Sequence, residues 1–209
     1  RAFNRATMAK RPPGSSMKPL AVYAPAVEYD LINWSTVLVD GPATKIDGKD
    51  WPKNYENKYY GDTTIVEAVR KSRNTIPVKL MQQLTPERSV EFLQKKFGIT
   101  TLVTSGKYND YGLSLSIGSM TDGLYLTELT AAYAPFGNGG NYYTPITYTR
   151  IEDANGNLIL DNQPKKTRAV SEDTASIMNR LLYEVVNGEG GTGREARLSS
   201  KMPVIGKTG

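Results

Sequence analysis

Arg11-Pro12-Pro13-Gly14-Ser15-Ser16-Met17-Lys18-Pro19 sets a serine three residues ahead of a lysine, directly after a Pro-Pro-Gly turn. The 209-residue chain has no histidine and no cysteine. That excludes Ser-His and Cys-His catalysis, and any metal site built on Cys or His. A nucleophilic serine here needs another base. If Gly14 ends a loop and Ser15 opens a helix to about Tyr23, Ser15 and Lys18 lie on one face, a turn apart. Pro19 is tolerated because it falls near the first turn. A lysine near a helix N-terminus, partly buried, can hold its amine neutral and act as a base. Ser16 is two residues from Lys18 and faces away from it. Alone the pattern is weak, since about one S-x-x-K match is expected by chance in a chain of this length. On its own, the motif is better read as Ser15 capping a helix and Lys18 as a solvated surface lysine.

Two further tripeptides change the weighting. Ser72-Arg73-Asn74 is the only S-x-N in the chain, and Lys207-Thr208-Gly209 the only K-T-G. K-T-G alone arises by accident in roughly one chain in twenty of this size. S-x-x-K, S-x-N and K-T-G in that order are the set found in class A β-lactamases and penicillin-binding proteins. The sequence therefore resembles the penicillin-binding protein transpeptidase family. The Arg11–Pro19 stretch and the Ser-Arg-Asn form of the second motif resemble its class A, bifunctional members. So does the run from Gly118-Ser119-Met120-Thr121 through Ala131-Ala132-Tyr133 to Phe136-Gly137-Asn138-Gly139-Gly140.

The resemblance implies an α+β fold of the serine β-lactamase/transpeptidase type, a helical subdomain against an antiparallel sheet. In that family the sheet takes strands from before the S-x-x-K helix and from after K-T-G. Residues 1–209 are thus expected to be a partial transpeptidase domain ending at the third motif, with the outer strands, a glycosyltransferase domain and a membrane anchor outside it. The implied partners are peptidoglycan stem peptides, β-lactams and the remainder of the same domain. The implied location is the extracytoplasmic face of a bacterial cell membrane, and no cofactor or metal is implied. Ser15 would attack a D-Ala-D-Ala carbonyl, and Lys18 would take its proton. Ser72 would relay a proton to the leaving amine. Asn74 would hydrogen-bond Lys18 and the substrate amide. Lys207 would supply positive charge near the relay, Thr208 would offer a hydroxyl to the substrate carboxylate, and Gly209 would leave room for a peptide laid alongside as an added strand. The Ser15 N–H would form half of an oxyanion hole, its other half coming from beyond Gly209. Each motif also has a plainer reading. Ser72 and Asn74 suit a turn between helices, and Lys207 suits a solvated strand end.

Composition excludes other classes. Hydrophobic content of 39% and charged content of 22% describe a soluble, globular chain able to build one sizeable core. No apolar run approaches membrane-spanning length. The net charge of +5 is modest, and no Lys/Arg cluster is interleaved with stacking aromatics, so nucleic-acid binding is rejected. A mild positive field suits a substrate ending in a carboxylate. Gly206-Lys207-Thr208 resembles the tail of a phosphate-binding loop. That motif needs a glycine five residues before Gly206, where Lys201 stands, and a helix after it.

Elsewhere, 33–62 reads as an ordered loop with short strands. Thr63 and Thr64 cap a helix to Arg70, Pro77 sits early in one reaching Leu84, and Thr85-Pro86 opens one ending at Gly98. Thr127 caps a helix through Tyr133, 148–160 forms a hairpin, and Ser171 opens a helix to about Asn187. Gly188 to Gly193 is a loop before a last strand at Pro203-Val204-Ile205. Two alternative functions share the motifs. A class A serine β-lactamase needs a deacylating glutamate in E-x-x-L-N, and Glu91-Phe92-Leu93-Gln94 does not supply it. A non-catalytic penicillin-sensing domain would retain acylation without turnover.

Overall fold

A computed structural model describes residues 2–200 and 202–209. The chain opens with α1 (Arg5–Met8) and β1 (Lys10–Arg11), then a 3₁₀ turn at Gly14–Met17. A π-wound turn at Pro19–Tyr23 follows and runs into α2 (Ala24–Glu28). Next come β2 (Val37–Asp40), β3 (Thr44–Ile46), β4 (Lys49–Trp51), β5 (Gly61–Thr64), α3 (Ile65–Arg70), α4 (Thr75–Leu84) and α5 (Pro86–Phe97). The second half holds β6 (Leu124–Tyr125), α6 (Leu126–Tyr133), β7 (Asn141–Tyr143), β8 (Arg150–Glu152), β9 (Leu158–Asp161), β10 (Lys166–Arg168) and α7 (Glu172–Asn187). The mixture is α+β, as expected. The strands pair antiparallel as β1–β6, β2–β5, β3–β4, β7–β10 and β8–β9, and no sheet exceeds two strands among the described residues.

The 17–27 segment is the centre of the core. Met17, Leu20 to Ala24 and Ala26 have no exposed surface. A helix apolar on every side has to be enclosed, and α3, α4, α5 and α7 do so with Ile65, Ile76, Leu80, Leu93, Met178 and Leu182. Buried Ser89 of α5 donates to the Ala21 carbonyl at 2.7 Å, tying that helix to the centre. Phe92, Phe97, Phe136 and Tyr133 form a run of edge-to-face aromatic contacts. It ends where the Tyr133 hydroxyl donates to the Ser16 carbonyl at 2.6 Å. The turn carrying Ser15 is therefore anchored to the aromatic core.

Three expectations need correction. The segment after Gly14 is not an α-helix from Ser15: it winds as a 3₁₀ turn, then a π turn in which the Ala24 N–H reaches the Pro19 carbonyl. Pro19 and Pro25 each lack an N–H, which breaks the regular i→i−4 ladder. In a 3₁₀ turn residues i and i+3 eclipse, so Ser15 and Lys18 still share a face. Second, α6 starts at Leu126 without a side-chain cap, because β6 runs straight into it. Thr127 instead donates to the Ala6 carbonyl at 3.3 Å. Third, 203–205 pairs with no strand among the described residues. The segment is held to α7 by Gly206 N–H to Leu182 O at 3.4 Å and Asn187 Nδ2 to Val204 O at 2.9 Å. The caps at Thr64, Thr85 and Ser171 and the 148–160 hairpin stand as expected.

Gly118 holds the Ser15 turn from outside. Its φ is +80°, and a Cβ there would run into the Gly14 carbonyl. Gly118→Ala is expected to lower the melting temperature by about 5 °C or more, from left-handed strain plus overpacking. Calorimetry checks this; an unshifted transition would show that the two glycines do not constrain one another.

Candidate active site

Ser72 is positioned by the end of α3. Its N–H reaches Val69 O at 3.1 Å and the Arg73 N–H reaches Ala68 O at 2.9 Å, the paired bonds of a Schellman cap. That cap requires the left-handed conformation usually given to glycine, and Ser72 adopts it with φ 55°. Strain of order 1 kcal/mol in a non-glycine residue at such a point marks a position where the side chain is needed. The cap also turns the Ser72 and Arg73 carbonyls toward the core.

Lys18 receives them. It is 0% exposed, and its Nζ lies within hydrogen-bonding distance of Asn74 Oδ1 at 2.6 Å, Ser72 O at 2.7 Å, Arg73 O at 3.1 Å and Ser72 Oγ at 3.3 Å. Burial, with the Lys207 cation second, pushes its pKa down to about 6. Near neutral pH the amine is largely uncharged, so it carries a lone pair. Lys207 Nζ donates to the same Ser72 Oγ at 2.7 Å and to Thr208 O at 2.9 Å. Its burial lowers its own pKa to about 8. The Ser72 hydroxyl thus lies between two lysines with unlike protonation states. Lys207 donates to its oxygen, and Lys18 Nζ lies 3.3 Å away on the other side.

Thr208 shares a 2.8 Å hydrogen bond with Thr192 of the 188–193 loop. Gly209 lies against the Ser15 turn, where a Cβ would meet Pro13 O at 2.5 Å and Ser16 N at 3.0 Å. A cavity of about 500 Å³ opens here, lined by Ser15, Ser72, Asn74, Thr208 and Gly209 together with Tyr55, Glu56, Lys71 and Thr192. All seven residues singled out from the sequence therefore meet at one place, five lining the cavity and Lys18 and Lys207 behind it on either side of the Ser72 hydroxyl. One pairing differs from the simplest expectation. The Ser15 hydroxyl has no hydrogen-bond partner among the described residues, because Lys18 is turned to the second motif. Catalytic hydrogen bonds are often open in ligand-free sites and close on the substrate. Ser16 Oγ is occupied, donating to Pro13 O at 2.6 Å.

Other residues of the site lay in the segment read only as a loop. Arg73, 4% exposed, reaches both carboxylate oxygens of Glu56 at 3.1 Å and stacks 3.6 Å over Tyr60. It pins the 52–60 segment beside the cavity, which brings Tyr55 and Glu56 to its wall. No spacing signal marks them, since their role depends on a contact some 17 residues away. Among the described residues no group of three or more Asp or Glu could hold a metal ion, and no helix is long and apolar enough to cross a membrane.

Residues 2–209 match the family described as penicillin binding protein transpeptidase domain. The chain is 34% identical to penicillin-binding protein 4 of Bacillus subtilis over 99% of its own length and 32% of that protein. It is 36% identical to penicillin-binding protein 1A of Clostridium acetobutylicum over 100% of its own length and 26% of that protein. It thus spans about a quarter to a third of the curated relatives it matches. Among solved structures, penicillin-binding protein 1A of Haemophilus influenzae superposes with a TM-score of 0.80 at 27% identity, over 98% of this chain and 35% of that one. The D,D-transpeptidase domain of a peptidoglycan glycosyltransferase from Eggerthella lenta gives 0.79 at 22% identity, over 98% of this chain and 55% of that one.

Proposed function

This chain belongs to the penicillin-binding protein transpeptidase family, in its class A branch, and from that membership we propose that it cross-links peptidoglycan stem peptides through an acyl-enzyme on Ser15. The observation that carries the reading is Lys18: wholly buried, with an amine held by Ser72 and Asn74 and a pKa near 6. A buried lysine anchored only for packing would be better replaced by an apolar residue. A lysine kept neutral beneath a cavity lined by serines serves as a base.

The sequence of events follows from the contacts. The substrate's terminal carboxylate lies against Thr208 at the cavity, with the Lys207 cation behind it. Ser15 Oγ attacks the penultimate D-Ala carbonyl, and its proton passes to the lone pair of Lys18. The Ser15 N–H donates to the developing oxyanion. The tetrahedral species collapses by breaking the C–N bond. The leaving amine takes the Ser72 Oγ proton, which Lys18 restores across 3.3 Å. An acceptor amine then reverses these steps, giving its proton to the base as it displaces Ser15 from the acyl group. A β-lactam enters the first half only. Glu56, the one acidic side chain lining the cavity among the described residues, is engaged by Arg73 through both oxygens. It is therefore poorly placed to activate a hydrolytic water, which favours transfer over a β-lactamase reaction. Residues 1–209 form the share of a transpeptidase domain that holds the three motifs, working on the extracytoplasmic face of the membrane.

Incubation with benzylpenicillin, followed by intact mass and peptide mapping, tests this. The expected result is a lasting adduct on Ser15. Ser16→Ala should retain the wild-type rate within about threefold, as its hydroxyl is spent on the turn. Drug consumption without a lasting adduct would mean a β-lactamase. No adduct and no consumption in folded protein would remove the mechanism.

A further inference from the structure

Asp40 is an unusual residue to find at the end of β2. It is 1% exposed, and its carboxylate accepts from Asn54 Nδ2 at 2.9 and 2.8 Å and from the Thr75 hydroxyl, with Arg73 Nε 3.8 Å away. Burying a carboxylate costs several kcal/mol that its partners only offset, so apolar replacements of such groups are often neutral or stabilising. Packing does not account for its presence. What the carboxylate does is orient Asn54.

Asn54 is itself 4% exposed. Its Nδ2 faces three acceptors, the two Asp40 oxygens and Lys58 O at 2.9 Å. A flipped amide would set oxygen against all three, so one orientation is dictated. That orientation points Asn54 Oδ1 at the Asn74 N–H, 2.8 Å away. The neighbouring residue completes the arrangement: Asn74 Nδ2 donates to Lys53 O at 2.8 Å, which leaves Asn74 Oδ1 for Lys18 Nζ at 2.6 Å. Two consecutive residues of one loop thus fix both the backbone and the side-chain amide of Asn74. Without the Asn54 contact the Asn74 backbone is released, and its amide loses register with Lys53 O and Lys18.

We propose that Asp40 and Asn54 are positioning residues for the acylation reaction, a buried hydrogen-bond train that holds the Asn74 backbone where its side-chain amide bridges Lys53 O and Lys18 Nζ. The inference rests on the transpeptidase reading above and deepens it. Neither residue touches the substrate; both act through Asn74.

A double-mutant cycle on the full-length protein tests the train, with the second-order rate of benzylpenicillin acylation followed by intact mass. Asn54→Ala is expected to lower the rate about 10-fold and Asn74→Ala about 100-fold. The double variant should match Asn74→Ala within about twofold, because a residue acting through Asn74 has nothing left to act on. Losses that multiply, or an Asn54→Ala rate equal to wild type, would overturn the proposal. A merely structural role would give multiplying losses or a lower melting temperature at full rate. Should Asn54→Ala not fold, Asp40→Asn goes through the same cycle. It keeps the shape but lets the amide pair choose either orientation. About a threefold or larger loss that vanishes in the Asn74→Ala background is expected; no loss, or one that persists in full, refutes the train. A wild-type protein that forms no Ser15 adduct would fail the underlying reading and take this inference with it, whereas normal wild-type acylation with multiplying losses would remove the positioning role alone.

Discussion

Exchanging Lys18 for methionine should slow acylation of Ser15 by benzylpenicillin about 1,000-fold near neutral pH, within the range general-base catalysis supplies. The size of the effect follows from the lack of a substitute. No histidine exists in the chain. Glu56 is paired with Arg73. Lys207, with its pKa near 8, remains mostly protonated at that pH and is bound to Ser72. Methionine is the suitable probe because the site is fully buried and a flexible thioether fills the volume without a charge. Its cost is three acceptors, the Ser72 and Arg73 carbonyls and Asn74 Oδ1, left without their donor. A correctly folded variant by circular dichroism that keeps more than about a tenth of the rate would show that another group takes the Ser15 proton.

How far this site could be read in advance depended on what kind of signal each residue gives. Ser15 and Lys18 were legible because their spacing survives a change of helix type: three residues bring side chains together in α and 3₁₀ geometry alike. The π winding at Pro19–Tyr23 was not legible, since no propensity encodes an i→i+5 bond and only the prolines hint at it. Ser72 could be seen as a turn residue, but not as the positive-φ member of a cap whose hydroxyl joins two lysines. Asp40 and Asn54 were hidden for a different reason. In a segment rich in Gly, Pro, Asp and Lys they look like ordinary turn formers, and their burial is created by α4 and the Arg73 cluster packing over them. The Pro203-Val204-Ile205 run shows the converse error. Apolar residues suggest a strand, yet strand character comes from a paired neighbour, and α7 is what these residues touch.

Acylation should rise with pH through about 6 and fall through about 8, and Lys207→Gln should alter both limbs at once. The acid limb is the deprotonation of Lys18, which must be neutral to accept the Ser15 proton. The basic limb is the deprotonation of Lys207, which must be charged to hold a ligand carboxylate. The two are linked, because the Lys207 cation is the second cause, after burial, of the low Lys18 value; the observed midpoints belong to the pair. Glutamine keeps a donor for Ser72 Oγ but carries no charge. With the cation gone, Lys18 holds its proton more tightly, so the acid limb moves to higher pH. The limb near 8 disappears, having lost the group that titrates. The rate at the optimum falls about 100-fold, the scale of removing one preorganised electrostatic contact. Acylation rates of both proteins measured from about pH 5 to about pH 10 decide the matter. An acid limb that stays in place would mean that Lys207 serves the ligand alone and burial by itself keeps Lys18 neutral. A shifted limb would show that the third motif also tunes the base of the first, across the Ser72 hydroxyl that both lysines hold.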